Sequence, residues 1–546
     1  MRLLEVSPQL PVTTPPPQPP PAPAAVAAPF TVRLATGLIG MLLASMIAGL
    51  NDRVTSVALP DIRGVLAIGY DQGTWIDTAY ATGEAMGMLI GPWCSTTFSM
   101  RRFASFAVIL LAVIGILTPL APNMSVFIAL RLLQGMSGGF LISQLMSAAL
   151  RFLPPNVKLY GFAIYALTAT LGPNLATAAA AFWYDFVGWQ FVFWQVVPLC
   201  SIAAALILYG VPQDPIKLDR FKQLDWRGLL LGWGGFGCCV IAFEQGDRLD
   251  WFNSPLICTL FLFAAILLPL LVLNEWFHPL PFMKFQLLGR RNFCYGLLTL
   301  TGFVIVGLSS SYLPSLYLAE IRDYRPLQIA PATLCVALPS LILLPAVCFL
   351  LNFKRADARW VAGGGLVIIA GCCYRASFIT SAWIGADFYL LQGVQAVGQA
   401  MLVVSLLMLA TSVIAPMEGP FASSTINTVR ALAAPVGAGL LEAFMRARER
   451  VHSNALLDHI GQVRFTLVQA NSPLTNHMMP LRADGTQRWP GSLQDFAATV
   501  HEQAVVLSIS DAFLALLGLA ALLLLLVILL PTRAYPPRIA ATMQNR

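Results

Sequence analysis

Long apolar segments dominate this chain and limit what it can fold into. Of its 546 residues, 57% are hydrophobic and 11% are charged, whereas a soluble domain carries about 25% charged residues. A helix needs about 20 mostly apolar residues to cross the hydrocarbon core of a bilayer, and the runs here reach that length without the alternation of a barrel strand. Because lipid offers the backbone no hydrogen-bond partners, such runs must be helical. The sequence therefore predicts an all-α membrane protein.

Fourteen segments have the length and composition of a transmembrane helix. They are residues 32–60, 73–98, 103–121, 124–149, 158–183, 188–211, 227–246, 255–274, 292–319, 326–352, 358–379, 385–414, 419–444 and 507–531. Before the first of them, residues 1–29 contain ten prolines, which predicts a disordered tail of polyproline II character.

The distribution of lysine and arginine predicts the orientation in the membrane. With both termini in the cytoplasm, the cytoplasmic segments carry 19 of these residues and the short outer loops carry 4. Cytoplasmic loops are enriched in positive charge, so we expect both ends to be cytoplasmic. The net charge of +7 then reflects topology, and it does not indicate a nucleic-acid partner.

Charged residues inside apolar segments are the first candidates for function, because a charge near the bilayer centre is costly and needs a reason to be there. Asp52, Asp77 and Glu84 lie in the first two segments, and Arg131 lies in the fourth. A carboxylate in a region of low dielectric constant can load and release protons near neutral pH. We therefore predict a proton-coupling role for these carboxylates, with Arg131 as their counter-charge. Structural ion pairs between helices, or positions in the headgroup region, are the alternative.

Aromatic, glycine and proline residues give a second, weaker set of candidates. Tyr80 and Tyr165 are candidates for a cavity that binds an aromatic ligand, and ordinary packing is the alternative. Gly172 and Pro173 interrupt the fifth segment and are candidates for a hinge, because proline removes a helical hydrogen bond. An ordinary kink would have the same sequence.

Metal or cofactor chemistry has no support in the sequence. The ten cysteines fall in apolar runs without a CxxC pair, and four of the five histidines share one polar stretch without cysteine or carboxylate ligands at metal spacing. We expect neither a metal site nor a cofactor, and a proton gradient would drive the reaction.

A weak internal repeat divides the chain. Leu-Leu-Gln-Gly at 132–135 recurs at 390–393, an offset of 258 residues, and the same offset carries Arg101 onto Arg359. Secondary transporters are commonly built from two such halves.

Several motifs together resemble a known family. Arg131-Leu-Leu-Gln-Gly resembles the RxxQG motif of the fourth helix in the major facilitator superfamily, and Gly161 to Pro173 resembles its antiporter motif. Leu224-Asp-Trp-Arg-Gly resembles the entry to two extra central helices, and Asn427-Thr-Val-Arg430 also fits. From about residue 35 to 531 the chain resembles the fourteen-helix drug:proton antiporters of the EmrB/QacA type.

The resemblance implies an architecture. Two six-helix bundles would flank two inserted central helices. The implied divisions are a tail at 1–29, a first bundle at 30–213, the linker and inserted helices at 214–275, a second bundle at 276–531 with an extracytoplasmic loop at 445–506, and a tail at 532–546.

The resemblance also implies a function, which is export of an amphipathic or aromatic small molecule against inward proton flow across the inner membrane. Gln134, Gly135, Arg101 and Arg102 would serve gating. Asn427 and Arg430 would line the substrate cavity. A periplasmic adaptor and an outer-membrane channel are implied partners. The loop at 445–506 would be either the docking surface or a plain connector. Its start, from Glu442 to His459, would continue as a helix outside the membrane, with Arg446, Arg448, Glu449 and Arg450 in solvent.

Three motifs depart from the family pattern. Thr96 and Ser99 stand where the turn after the second helix normally has aspartate and glycine, and Asn51 stands where the first helix normally has an acidic residue. Ala176-Thr177 replaces paired glycines in the fifth helix. These changes predict a divergent branch with its own substrate.

Other functions remain open on the sequence alone. Uptake of an organic acid or a siderophore is one, and a receptor or scaffold without transport is another. A glycosyl- or acyl-transferring membrane enzyme would need a nucleotide, metal or nucleophile motif, and we find no GxxxxGK, no HExxH and no DxD on a loop.

Overall fold

The computed structural model describes residues 31–154, 157–353, 356–415, 418–462, 485–486 and 491–528. Within these ranges the chain is helical and has no β-strand, which confirms the all-α prediction. Each of the fourteen predicted segments forms a helix. The helices are α1 (Val32–Leu66), α2 (Tyr70–Phe98), α3 (Met100–Leu117), α4 (Met124–Phe152), α5 (Lys158–Phe186), α6 (Phe191–Gly210, interrupted at Gln195), α7 (Trp226–Gly246), α8 (Pro255–Phe277), α9 (Arg291–Glu320, interrupted at Gly307 and Tyr312), α10 (Pro326–Leu351), α11 (Ala358–Ala376), α12 (Gly385–Thr411), α13 (Gly419–Gln462) and α14 (Ser492–Ile528).

Eleven of the described helices are long and apolar enough to cross a membrane. The other three are α2, α5 and α11. The first two are each 29 residues long but carry polar and small side chains of the protein interior, and α11 contains three consecutive glycines. The count of fourteen crossings therefore stays a prediction.

Helices α2 and α4 touch through their backbones. A Cβ atom added to Gly83 of α2 would lie 2.0 Å from the carbonyl oxygen of Leu132, and one added to Gly135 of α4 would lie 2.0 Å from that of Tyr80. Gly87 and Gly139 continue the contact along the same pair of helices. Small residues at such positions let membrane helices approach closely.

We call α1–α6 the first half of the chain and α9–α14 the second half. The two halves meet along two pairs of helices, α5 with α10 and α2 with α13. At one end of this interface, Ser423 and Ser424 of α13 donate hydrogen bonds to the carbonyl oxygens of Ser143 in α4, at 2.6 Å, and of Leu89 in α2, at 2.8 Å. We call this the closed end. It is the end at which α2 is followed by α3.

The inserted helices α7 and α8 pack against each other at the side of the bundle. Only α7 packs closely on α2 and α13, whereas most of α8 is left at the surface, where lipid would cover it. Asp225 caps α7 by accepting a hydrogen bond from the amide of Gly228 at 2.8 Å, and it also accepts one from the side chain of Asn274 in α8.

The region predicted as the long loop 445–506 is partly helical. α13 continues to Gln462, as expected for its first part, and α14 begins at Ser492, well before the predicted residue 507. Residues 463–484 and 487–490 of this loop, and both predicted tails, lie outside the described residues. Apolarity set the predicted start of α14, so its polar turns before residue 507 were missed.

Three of the four charged residues expected in solvent at the start of this region are paired as well as partly exposed, while Arg450 is exposed as expected. Arg446 forms an ion pair with Asp247. Arg448 donates to Asp511 of α14 at 2.6 Å. His501 lies 3.2 Å from Glu449. The extension of α13 is therefore bound to α7 and α14 by polar contacts.

A charged network holds the beginning of α13 to the segment before α9. Glu418 accepts hydrogen bonds from Lys284 at 2.8 Å and from Arg290 at 2.6 and 3.0 Å. Burial acts to raise the pKa of Glu418, but the hydrogen bonds from Arg290 and Lys284 outweigh it and lower this pKa to about 2. The carboxylate therefore stays charged at any physiological pH.

We expect Glu418→Gln to lower the midpoint of thermal unfolding in detergent by about 2–4 °C. Because the pKa of Glu418 is lowered on folding, its contribution is complete above the ordinary value of 4.5 and is lost only as the pH falls towards 2. The difference from the wild type should thus be constant from about pH 8 to pH 5. Asp219→Asn, at a side chain that is 94% exposed, serves as the control. A difference that disappeared by about pH 6 would contradict this account.

Candidate functional site

A cavity of about 790 Å³ lies between the two halves of the chain. Residues of α1, α2, α5 and α7 line one part of it, and residues of α9, α10, α12 and α13 line the rest. The lining extends to Asp61, Asp185 and Arg325, which lie near the ends of α1, α5 and the α9–α10 connection. We call this the cavity end, opposite the closed end.

The three carboxylates predicted for proton coupling all line this cavity. Asp77 accepts a hydrogen bond from Ser56 at 3.0 Å. Asp52 forms a side-by-side ion pair with Arg53 at 3.5 Å. Glu84 lies two turns from Asp77 on the same face of α2 and forms no hydrogen bond or ion pair within the described part of the chain. It shares the cavity with the charged side chains of Asp52, Arg53 and Arg430.

Arg131 is wholly buried behind α2. One terminal nitrogen lies 3.9 Å from Asp77 Oδ1, and the other donates to Gln134 Oε1 at 2.9 Å. Its guanidinium group also lies 4.4 Å from the centre of the Tyr80 ring. The structure thus brings Arg131 next to Asp77, with the aromatic ring covering its face.

The aromatic candidates are placed differently from the expectation. Tyr80 and Tyr165 are buried and are not among the cavity-lining residues. The hydroxyl of Tyr80 donates to the Ala48 carbonyl at 2.8 Å, in the space that Gly138 leaves open. These hydroxyls satisfy partners in the protein, so both rings are structural contacts in this conformation.

Arg430 joins the two halves beside the cavity. It lines the cavity and donates to the hydroxyl of Tyr165 at 2.9 Å, and Tyr165 donates to Asn427 Oδ1 at 2.7 Å. Asn427 itself is fully buried behind this pair. The network connects α5 of the first half to α13 of the second.

The predicted hinge faces open space. Pro173 lines the cavity, and a Cβ atom added to Gly172 would meet no atom within 4 Å. This part of α5 therefore has room to bend. A hinge role remains a prediction.

The predicted gating residues fall into two groups. Both Gln134 and Gly135 are buried, Gly135 in the α2–α4 contact and Gln134 beside Arg131, from which it accepts a hydrogen bond. Arg101 and Arg102 lie in the first turn of α3 at the closed end, where the guanidinium of Arg102 faces the side-chain amide of Gln213, whose oxygen accepts at 2.8 and 2.6 Å when the amide is turned towards it.

In the α2–α3 turn, the two residues that depart from the family pattern, Thr96 and Ser99, form hydrogen bonds of their own. Thr96 donates to the carbonyl of Trp93, at 2.9 Å, in its own helix. Ser99 has a φ of 78°, a conformation in which glycine is the usual residue, and its hydroxyl accepts a hydrogen bond from the amide of Asp214 at 3.2 Å. Asp214 also pairs with Arg151 through two hydrogen bonds, at 2.7 and 2.9 Å. Asp214, the acidic residue that pairs with Arg151 at this end, lies in the segment after α6.

Four cavity carboxylates were missed by the sequence reasoning: Asp61 and Asp185, which lie just beyond the predicted ends of the first and fifth segments, and two that lie within predicted segments. Glu244 of α7 and Glu442 of α13 both line the cavity. Both lie inside predicted transmembrane segments, so the rule that a charge in the membrane needs a reason would have found them.

An all-helical membrane protein with a cavity between two halves has the architecture of a transporter. A sequence profile described as Major Facilitator Superfamily matches residues 41–438. The chain belongs to this superfamily, and it is a membrane transporter rather than an enzyme.

Several similar proteins carry the names of export or resistance proteins. The chain is 27% identical to the "Multidrug export protein EmrB" of Haemophilus influenzae over 421 residues, which is 77% of this chain and 82% of that one. It is 24% identical to the "Probable multidrug resistance protein EmrY" of Escherichia coli over 91% of this chain and 95% of that one. It is 26% identical to the "Fatty acid resistance protein FarB" of Neisseria gonorrhoeae over 85% and 90%.

Solved structures support the fold. A peptide-bound transporter of the POT family superimposes with a TM-score of 0.55 at 13% identity, covering 76% of this chain and 90% of that one. The proton:xylose symporter XylE of the same superfamily gives 0.50 at 12% identity over 87% and 94%.

We predict that Arg131→Met lowers the free energy of unfolding by about 3 kcal/mol, because it leaves the Asp77 charge without its buried partner. Adding Asp77→Asn should recover part of this loss, since the pair is then removed together. Denaturant titration of the purified variants in mixed micelles would measure it. Arg151→Met, which breaks the half-exposed pair with Asp214, should cost about 1 kcal/mol or less. Strictly additive losses for Arg131 and Asp77 would show that the two are uncoupled.

Proposed function

We propose that this protein is a proton-coupled exporter of amphipathic or aromatic small molecules across the cytoplasmic membrane. The observation that carries the proposal is the cavity between the halves, into which α2 directs Asp77 and Glu84. The names of the similar proteins, which include multidrug exporters, support the substrate class. The cavity end would face outward, and both termini would lie in the cytoplasm.

Proton and substrate would compete for the same carboxylates. In a cavity of low dielectric constant, the Glu84 carboxylate is stabilised either by taking up a proton or by binding a cationic group. Release of one therefore favours binding of the other. Arg131, held beside Asp77 at 3.9 Å, would keep that carboxylate less available than Glu84. Glu84 is thus our first choice for the proton carrier, with Asp77 second and Asp52 third.

Transport requires the closed end to open. Rocking of one bundle against the other around a fixed site is the usual mechanism in such folds. Here it would break the hydrogen bonds of Ser423 and Ser424 to α4 and α2, while α5 bends at Gly172 and Pro173. Arg101 and Arg102 would contribute to the gate at that end.

We expect Glu84→Gln to reduce proton-driven export to the level of protein-free vesicles, because the amide keeps the shape but cannot carry a proton. Reconstituted vesicles with an imposed pH gradient and a fluorescent amphipathic dye would measure it, with Asp219→Asn as the matched control. Export by Glu84→Gln at the wild-type rate would refute the assignment. Downhill exchange of dye without a gradient should survive, which separates lost coupling from misfolding.

The direction of movement separates export from uptake of an organic acid or a siderophore. In inverted membrane vesicles, an exporter accumulates the dye when the lumen is acidified, and a protonophore abolishes the accumulation. Accumulation only in right-side-out vesicles would indicate uptake.

We also propose that the extension of α13 docks a periplasmic adaptor, which would connect the exporter to an outer-membrane channel. Val451 and Leu457 on this extension are 52% and 46% exposed, so apolar surface is available there to a protein partner.

The double variant Val451→Asp and Leu457→Asp should lose co-purification with the adaptor and keep dye transport in vesicles, because the extension lies outside the cavity. Quantitative mass spectrometry of crosslinked complexes would measure it against Asp219→Asn. Unchanged recovery of the adaptor would contradict docking at this surface.

A further inference from the structure

The last turn of α7 reaches the central cavity. α7 lies between the lipid-facing α8 and the bundle, against α2 and α13. Glu244 in this turn lines the cavity together with residues of both halves. A helix pair at the side of the bundle thus supplies a carboxylate to the centre.

Contacts on two sides fix the direction of Glu244. On one side, the fully buried Gln245 donates to Thr78 Oγ1 of α2 at 2.7 Å. On the other side, a Cβ atom added to Gly439 of α13 would lie 2.6 Å from the Phe243 carbonyl oxygen, so the two backbones are in contact. The residue between Phe243 and Gln245 therefore has little freedom to turn away from the cavity.

Two ion pairs hold the same turn from beyond its end. Arg248 lies 3.0 Å from Asp71 of α2. Arg446 of α13 pairs with the Asp247 carboxylate and donates to the Asp247 carbonyl at 2.7 Å. These contacts hold the end of α7 in the cavity wall.

Glu244 has no partner of its own. It forms no hydrogen bond or ion pair with any other described residue, and it shares the cavity wall with the carboxylates of Asp52, Asp77 and Glu442. The neighbouring Glu442 accepts a hydrogen bond from Tyr312 at 2.7 Å.

Negative charge exceeds positive charge in the cavity as a whole. Seven carboxylates and three guanidinium groups line it. An unpaired carboxylate away from bulk water is unfavourable unless a cation or a proton approaches it. The occupant that this wall stabilises best therefore carries a positive charge.

We propose that Glu244 is a specificity-determining residue that favours positively charged substrates, so that the inserted helices take part in substrate recognition. This inference rests on the proposed export function. Glu244 acts by charge, next to Glu442, while Glu84 and Asp77 serve the proton.

Two aromatic probes of similar shape test the inference. Tetraphenylphosphonium is a permanent cation, and triphenylphosphine oxide is uncharged. Equilibrium dialysis against the purified full-length protein gives the Kd of each probe, and reconstituted vesicles give KM and kcat for the cation. The variants are Glu244→Gln, Glu244→Asp and, as the control, Asp458→Asn at an exposed carboxylate further along α13.

For tetraphenylphosphonium, Glu244→Gln should raise Kd and KM about tenfold, as expected for one lost charge near a partly hydrated cation, and should leave kcat unchanged. Its Kd for the uncharged probe should stay at the wild-type value. Glu244→Asp should lie close to the wild type, and Asp458→Asn should match it. If Glu244→Gln fails to fold, Glu442→Gln is the second variant, with a shift expected in the same direction.

The outcomes distinguish this inference from the function on which it rests. If the wild type neither binds nor transports either probe, the export proposal itself fails. If the wild type handles both probes and Glu244→Gln weakens both equally, or neither, the charge of Glu244 does not select substrates and the inference is overturned. A lower kcat at unchanged KM would also overturn it, because it would assign Glu244 to coupling.

Discussion

The backbone contact between α2 and α4 is the constraint on which the rest of the site depends. Gly83 and Gly135 bring the two helices so close that neither position has room for a Cβ atom. One side of α2 is therefore occupied by α4, and the adjacent side, with Asp77 and Glu84, is turned to the cavity. The same closeness places Arg131 of α4 directly behind Asp77. A wider spacing would remove this neighbour and leave a buried charge on each helix.

The fold was largely predictable, because lipid permits so few backbone arrangements. All fourteen predicted segments form helices, and the errors lie at the ends, above all in α13 and α14. There the helices continue as polar turns that pair through Arg448 and Asp511. The hydropathy of a segment indicates whether it suits the lipid interior, and it carries no information about pairing between polar residues outside the lipid.

The site was predicted less completely. The cost of a charge in the membrane identified Asp52, Asp77 and Glu84, which do line the cavity. It gave no means to tell a ring that faces the cavity from one that packs behind it, and so Tyr80 and Tyr165 were expected at the cavity wall. That distinction depends on where each hydroxyl finds an acceptor, such as the Ala48 carbonyl for Tyr80, which is a property of three-dimensional packing alone.

The two serine contacts at the closed end differ in kind from an ion pair or an apolar seal. Each uses one rotatable hydroxyl on α13 and a carbonyl oxygen that already takes part in a helix. A serine hydroxyl in a helix can turn to the carbonyl of its own preceding turn, so separation of the halves need not strand a polar hydrogen in lipid. These hydrogen bonds hold the closed end together, and little free energy is lost when the two halves separate there. Such contacts would suit a transporter in which this end closes and opens during each transport cycle.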